Sequence, residues 1–282
     1  MNDVGNIQWF PGHMTKTRRL IEADLKMVDA VVEITDARIP ESSRNPILDE
    51  LVKDKPRIIL MNKCDYADEV ATRAWKQFYE KKSIRVLTCD CRSGKGLNAF
   101  LPEVKRLLAD LIERRKKRGM IGKALRLMVV GIPNVGKSSF INRMAKTKKT
   151  KVGDKPGVTR GKQWVSIDRD VELLDMPGIL WPKFDDQLAA QRLAFTGAIK
   201  DDVMDTEALA RALGAVLKEQ YPELLNARYK LSGDEDILRD IAKSRGMLVS
   251  GGEPDTERAA AALLDEYRGG KIGRITLEKP GN

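Results

Sequence analysis

The stretch Gly131-Ile-Pro-Asn-Val-Gly136-Lys137-Ser138 matches GxxxxGK[ST]. It stands after the apolar run Leu125-Arg-Leu-Met-Val-Val130 and before a segment of helical pattern. Strand, loop and helix in that order are the setting in which such a loop cradles phosphate. Its glycines leave backbone N–H groups free to surround phosphate oxygens, Lys137 neutralises the β and γ phosphates, and the Ser138 hydroxyl is placed to ligate Mg²⁺. Asn134, Val135, Gly136 and Ser139 complete the cradle. A chance match arises about once in 80,000 positions at equal residue usage, so a nucleoside triphosphate is the expected ligand.

Outward from this loop lie the residues that choose the base. Asn62-Lys63-Cys64-Asp65 follows the β-rich run Arg57–Met61. A carboxylate at Asp65 accepts from both N1–H and N2–H₂ of guanine, a donor pair that adenine lacks. Asp90-Cys91-Arg92 precedes Gly94-Lys-Gly96 where GTPases usually carry Ser-Ala-Lys, and the Cys91 N–H is expected to meet the guanine oxygen. Asp175-Met-Pro-Gly178 follows the run Val171–Leu174 and has the DxxG form, with Asp175 on Mg²⁺ through water and the Gly178 N–H at the γ-phosphate. Between these two lies Lys155-Pro-Gly-Val-Thr159, whose Thr159 supplies the second hydroxyl for Mg²⁺. In the usual order the guanine motif comes last. Here Asn62–Asp65 precedes the phosphate loop, so the nucleotide domain is circularly permuted.

The surrounding chain fits an α/β domain. Runs Ala30–Ile34, Arg57–Met61, Ile84–Leu87 and Leu125–Val130 alternate with helical patterns, which predicts a mainly parallel sheet flanked by helices. Val104, Leu107, Leu108, Leu111 and Ile112 form one apolar helical stripe that ends in the basic run Arg114–Arg118. Past Pro182, helical periodicity takes over at 187–195, 206–220, 235–245 and 256–267, punctuated by Gly197, Pro222, Gly246 and Gly251-Gly252. Two domains are expected, a GTPase domain over 1–184 that includes the N-terminal segment 1–28, and a small all-α domain over 185–282. Ile272–Leu277 reads as one short strand or a tail.

Composition narrows the class. The 282 residues are 42% hydrophobic and 33% charged, which excludes collagen-like and wholly disordered chains. Cys64, Cys89 and Cys91 lack metal-ligand spacing and His13 is the only histidine, so a structural zinc site is not expected. No apolar run approaches a membrane span and Met1–Gly5 has no secretory pattern, which together suggest a reducing cytoplasm. The net charge of +10 is uneven: residues 1–184 carry 37 Lys and Arg against 23 Asp and Glu, and residues 185–282 carry 14 against 18. Such a basic half suits a polyanion such as nucleic acid, or simply a solvated surface.

These motifs, with Gln8-Trp-Phe-Pro-Gly-His-Met14, Asp36-Ala-Arg-Ile-Pro40 and the helical C-terminal part, resemble the circularly permuted GTPases of ribosome assembly, in particular the branch acting on the large subunit. The small-subunit branch carries an OB-fold and a zinc domain for which this chain has neither room nor ligands. The resemblance implies GTP hydrolysis in late assembly of the 50S subunit, slow alone and stimulated by that subunit, with nucleotide-dependent contact to rRNA and a monomer off the ribosome. The alternative is a GTP-gated RNA-binding scaffold with incidental hydrolysis. Ile179 occupies the place where signalling GTPases carry a water-orienting glutamine, and the resemblance offers His13 as the catalytic replacement. The competing reading has His13 fixing the Trp9–Gly12 turn. Asn134 resembles the asparagine that holds K⁺ in potassium-activated GTPases; its other reading is local support of the loop. Arg18-Arg19, Arg114–Arg118 and Lys146-Thr-Lys-Lys-Thr-Lys151 are candidate rRNA phosphate contacts, or solvated faces.

Overall fold

A computed structural model of the chain describes residues 14–52, 55–120, 122–146, 163–176, 186–199, 201, 204–233 and 235–281. His13, Thr159 and Gly178 lie outside these residues, as do residues 8–12, Ile179 and residues 147–151.

Six strands form one sheet: β1 Ala30–Asp36, β2 Arg57–Asn62, β3 Arg85–Thr88, β4 Leu125–Val130, β5 Gln163–Asp168 and β6 Val171–Asp175. Their spatial order is β3-β2-β1-β4-β6-β5. All neighbours are parallel except β5, which pairs antiparallel with β6. Every residue of β1 is buried, as expected of a central parallel strand covered on both faces. β5 has no counterpart among the expected strands. It is an edge strand whose signal is only two buried residues, Val165 and Ile167, alternating with exposed Trp164 and Ser166.

The pleat sorts the helices. Val31, Met128, Val130 and Leu174 face α1 (Met14–Leu25) and α2 (Pro46–Leu51), while Ile59, Met61 and Val86 face Trp75 and Tyr79 of α3 (Glu69–Lys81). On the other face Val32, Ile34, Leu60, Leu127 and Val129 share a core with Phe100 and Val104 of α4 (Phe100–Leu107) and Phe140 and Met144 of α6 (Lys137–Lys146). The expected single helix around Leu108 is two, α4 and α5 (Ala109–Lys117). Leu108 departs from helical geometry at φ −103° and ψ 17°, yet its N–H still bonds Val104 O, so the apolar stripe survives the break.

The C-terminal part is helical: α7 Gln187–Phe195, α8 Thr206–Gln220, α9 Pro222–Tyr229, α10 Ile237–Arg245 and α11 Thr256–Arg268. Pro222, read from sequence as punctuation, instead opens α9 from its first turn, where a missing N–H costs nothing. Four aspartates start helices here: Asp186, Asp205, Asp236 and Asp255 accept from the first-turn N–H groups of α7, α8, α10 and α11. Residues 272–277 form neither a strand nor a loose tail. They run extended along the loops after β1 and β2, with Ile272, Ile275 and Leu277 buried and with Ile275 N–H on Tyr66 O and Leu277 N–H on Arg38 O. Among the described residues no helix is long and apolar enough to cross a membrane.

Candidate functional site

Open α/β sheets receive ligands beyond the carboxyl ends of their strands. At that edge β4 ends at Val130 and turns through 131–136 into α6. Two glycines make the turn feasible. Gly131 holds φ +156° with a Cβ position only 2.6 Å from Ile34 O, and Gly136 holds φ +105° with one 2.2 Å from Asn62 Nδ2. Lys137 folds over its own loop, its Nζ donating to Gly131 O at 2.9 Å and Ile132 O at 2.8 Å. It is 8% exposed. Burial pulls its ammonium down to about 8, against the opposing pull of Asp175, which ends β6 and is itself buried. Ser138 and Ser139 are exposed in the first turn of α6, whereas Val135 is buried. Asn134 stands at φ +58° and donates from Nδ2 to Gly197 O at 2.6 Å, a direct bond from the phosphate loop to the end of α7.

The base end is organised by Asn62. Its Nδ2 donates to Val135 O at 2.7 Å and its Oδ1 accepts from Cys91 N–H at 2.9 Å. One buried amide thus joins the phosphate loop, the loop after β2 and the loop after β3. The Cys91 N–H expected to face guanine is therefore engaged by Asn62, and contact with a base requires that bond to be shared or opened. Asp90 caps its own turn, accepting from Arg92 N–H at 2.7 Å and Ser93 N–H at 3.1 Å. Burial works against its charge, but the Ser93 and Arg92 hydrogen bonds hold its carboxyl below the usual range. Asp65 is exposed; partial desolvation and then the nearby Asp90 raise its carboxyl. The sequence-separated residues 62–65, 90–91, 134–139 and 175 thus gather at one edge of the sheet, while His13, Thr159 and Gly178 fall outside the described residues.

A buried ion cluster lies beneath the base loop. Lys63, at φ +60°, places Nζ 2.9 Å from Asp36 Oδ2. Asp36 also accepts from Arg38 Nε at 2.9 Å and Nη2 at 2.8 Å, and Arg38 Nη1 reaches the carbonyls of Tyr267 and Arg268 at the end of α11. Although burial opposes ionisation, Arg38 and Lys63 hold the Asp36 carboxyl far below the carboxylate range. The sequence marks Asp36 and Arg38 only by resemblance. Their spacing of two does not announce that they support Lys63.

Mg²⁺, which this kind of site typically uses, is compatible with the donors present. Ser138 and Asp175 offer a hydroxyl and a carboxylate, hard oxygen ligands. Among the described residues no group of three or more His, Cys, Asp or Glu is arranged to hold a metal.

The basic residues differ in how far the fold engages them. Arg115 is taken up structurally, its Nη2 2.6 Å from Asp29 and its Nη1 on Ala124 O. Arg18 pairs with Glu22 and Glu50, whereas Arg114, Lys117 and Arg118 stay exposed or half-exposed.

The known proteins that this chain resembles agree with the geometry. Residues 126–226 match the family model described as a 50S ribosome-binding GTPase. Ribosome biogenesis GTPase A of Bacillus licheniformis is 47% identical over 97% of this chain and 98% of its own length. The chain belongs to the ribosome biogenesis GTPase A family. It is therefore a GTP-binding GTPase of ribosome biogenesis, with the mainly parallel α/β fold and helical C-terminal part of that family. The Thermotoga maritima member is 34% identical over 97% of this chain and 95% of its own. Among solved structures, a GDP-bound YlqF aligns over 94% of this chain and 100% of its own, with a TM-score of 0.66 and 28% identity. A GNP-bound YlqF from T. maritima aligns over 95% and 99%, with a TM-score of 0.64 and 29% identity.

Proposed function

We propose that this GTPase assists late assembly of the large ribosomal subunit, binding pre-50S particles and their rRNA in its GTP form and leaving after hydrolysis. The observation that carries the nucleotide half of this reading is Asn62 bridging Val135 O and Cys91 N–H, which holds a guanine loop and a phosphate loop as one unit. The ribosomal half is supported by the family description, a 50S ribosome-binding GTPase. GTP then lies along the carboxyl edge of the sheet. Asp65 reads the base, backed by Asn62, Lys63, Asp90 and Cys91, while Asn134–Ser139 and Gly178 surround the phosphates. Ser138, Thr159 and, through water, Asp175 hold Mg²⁺. K⁺ is assigned to the Asn134 oxygen, whose nitrogen is occupied by Gly197 O. His13 is assigned to water activation in the complex with the ribosomal partner. Residues 1–184 form the GTPase domain and 185–282 the helical domain of a cytoplasmic factor that is monomeric away from the ribosome.

The deciding experiment measures GTP turnover in KCl and in NaCl for the protein alone, with purified 50S subunits and with 30S subunits. Stimulation by 50S alone is expected, with His13→Ala lowering the stimulated rate and sparing GTP affinity. Equal rates in all mixtures would leave a GTP-gated RNA-binding scaffold, the reading that Ile179 favours. Equal rates in the two salts would remove K⁺.

A further inference from the structure

The loop carrying Asp65 is held from outside by a segment more than two hundred residues away. Arg274 Nη2 donates to Cys64 O and its Nε to Ala67 O, each at 2.9 Å. The next residue, Ile275, donates its N–H to Tyr66 O at 2.9 Å, and Thr276 Oγ1 accepts from Asp68 N–H at 3.1 Å. Residues 274–276 therefore bond residues 64, 66, 67 and 68 in turn, on both sides of Asp65. Gly270, four residues before Arg274, lies against the Tyr66 ring so closely that a Cβ would sit 2.5 Å from it.

The loop's other contacts fix mainly its flanks and its Tyr66 side chain: Lys63 pairs with Asp36, Arg92 reaches the Tyr66 hydroxyl at 3.3 Å, and Asp68 caps α3. Cys64 N–H bonds Cys89 O at 3.2 Å, and Tyr66 N–H closes a turn onto Lys63 O. A planar guanidinium forks across two carbonyls in a way that an ammonium does not, so Arg274 fixes the spacing of Cys64 O and Ala67 O as well as their position. A carboxylate that must meet two donors on one base edge discriminates only as well as its backbone is placed.

We propose that Arg274 is a positioning residue for guanine selection, and that the C-terminal segment 274–276 is part of the base-recognition loop. It acts through the backbone around Asp65 and touches no base itself. The proposal rests on Asp65 reading guanine. A ribosomal contact that pulls on the C-terminal segment would then loosen the base end of the nucleotide site, giving a route by which the partner affects nucleotide affinity.

The test compares binding of GDP and inosine diphosphate, which lacks the N2 amino group, to the full-length protein, its Arg274→Ala and Arg274→Lys variants, and Asp65→Asn. With Arg274→Ala, GDP affinity is expected to fall about tenfold and the preference for GDP over inosine diphosphate to shrink several-fold, with Arg274→Lys in between. Asp65→Asn is expected to move preference toward xanthosine diphosphate, whose C2 carbonyl accepts from an amide. Equal weakening of both nucleotides by Arg274→Ala would overturn the positioning role, leaving the segment as support for the fold alone. An unchanged ratio beside an Asp65→Asn switch to xanthine would overturn it too, with the reading of Asp65 intact. If Asp65→Asn leaves the preference for guanine in place, the reading of Asp65 fails, and the proposal with it.

Discussion

Lys137 shows how a single buried cation can register its ligand. Without phosphate its ammonium rests on two carbonyls of its own loop and burial lowers it to about 8. In the proposed complex, phosphate oxygens would raise it again. Below pH 8 the lysine is already charged in the free protein, so binding takes up no proton; above pH 8 the free lysine is neutral and must gain one. GDP affinity is therefore expected to fall about tenfold per pH unit above 8, with uptake of about one proton at pH 9. Calorimetry in buffers of different ionisation heat measures that proton, and a buffer-independent heat at pH 9 would refute the assignment. Gly136 is constrained more simply. A methyl group there meets Asn62 Nδ2 at 2.2 Å in a left-handed backbone, so Gly136→Ala is expected to weaken GDP binding about 10- to 100-fold, read by nucleotide fluorescence titration.

At the scale of elements, the acidic C-terminal third of the chain owes much of its charge to internal work. Asp186, Asp205, Asp236 and Asp255 cap helices, Asp201 pairs with Arg268, and Glu266 pairs with Arg228 and Arg245. Buried Asp240 accepts from Ser232 N–H and Oγ and from Gly233 N–H, closing the turn before α10. These carboxylates are tied to local N–H groups and arginines, so a net charge of −4 does not describe the face offered to a partner. Removing the cap of the long helix α8 by Asp205→Ala is expected to cost about 1 kcal/mol and to lower the thermal midpoint by about 2–4 °C without changing GTP affinity. A thermal melt with and without GDP checks both parts.

For the whole molecule, the C-terminal part grips the nucleotide edge at two ends, through Gly197 at the phosphate loop and residues 274–276 at the base loop. The end of that segment is anchored by Glu278, a buried carboxylate that accepts from the N–H groups of Glu41 and Ser42, the Ser42 hydroxyl and Arg192, while its own carbonyl accepts from Trp75 Nε1 at 3.0 Å. Removing that carboxylate orphans several buried donors, a loss of about 3 kcal/mol or more. Glu278→Ala is expected to raise amide hydrogen exchange in residues 64–68 and 274–278 together. Faster exchange in 274–278 alone would show that the two segments are not coupled.

Much of this was legible in the chain itself. Gly131–Ser138, Asn62–Asp65 and Asp175 carry residue types and spacings expected of a phosphate loop and a guanine loop, and α7, α8 and α11 are read almost to the residue because apolar periodicity is a local signal. Edge strand β5 was hidden, since two alternating apolar residues carry little signal, and α9 was hidden behind a proline that starts helices as readily as it ends them. Sequence by itself thus determined the fold class, the nucleotide and the permuted order of its motifs. Only the tertiary structure decided that Asn62 locks Cys91 to the phosphate loop, that Asp36 and Arg38 underpin Lys63, and that the last extended segment braces the base loop. The Asn62–Cys91, Asp36–Lys63 and Cys64–Arg274 contacts join residues 27 to 210 positions apart, and backbone carbonyls receive many of the bonds that hold these loops. A carbonyl is present at every residue, so no choice of amino acid along the chain marks which ones will be used.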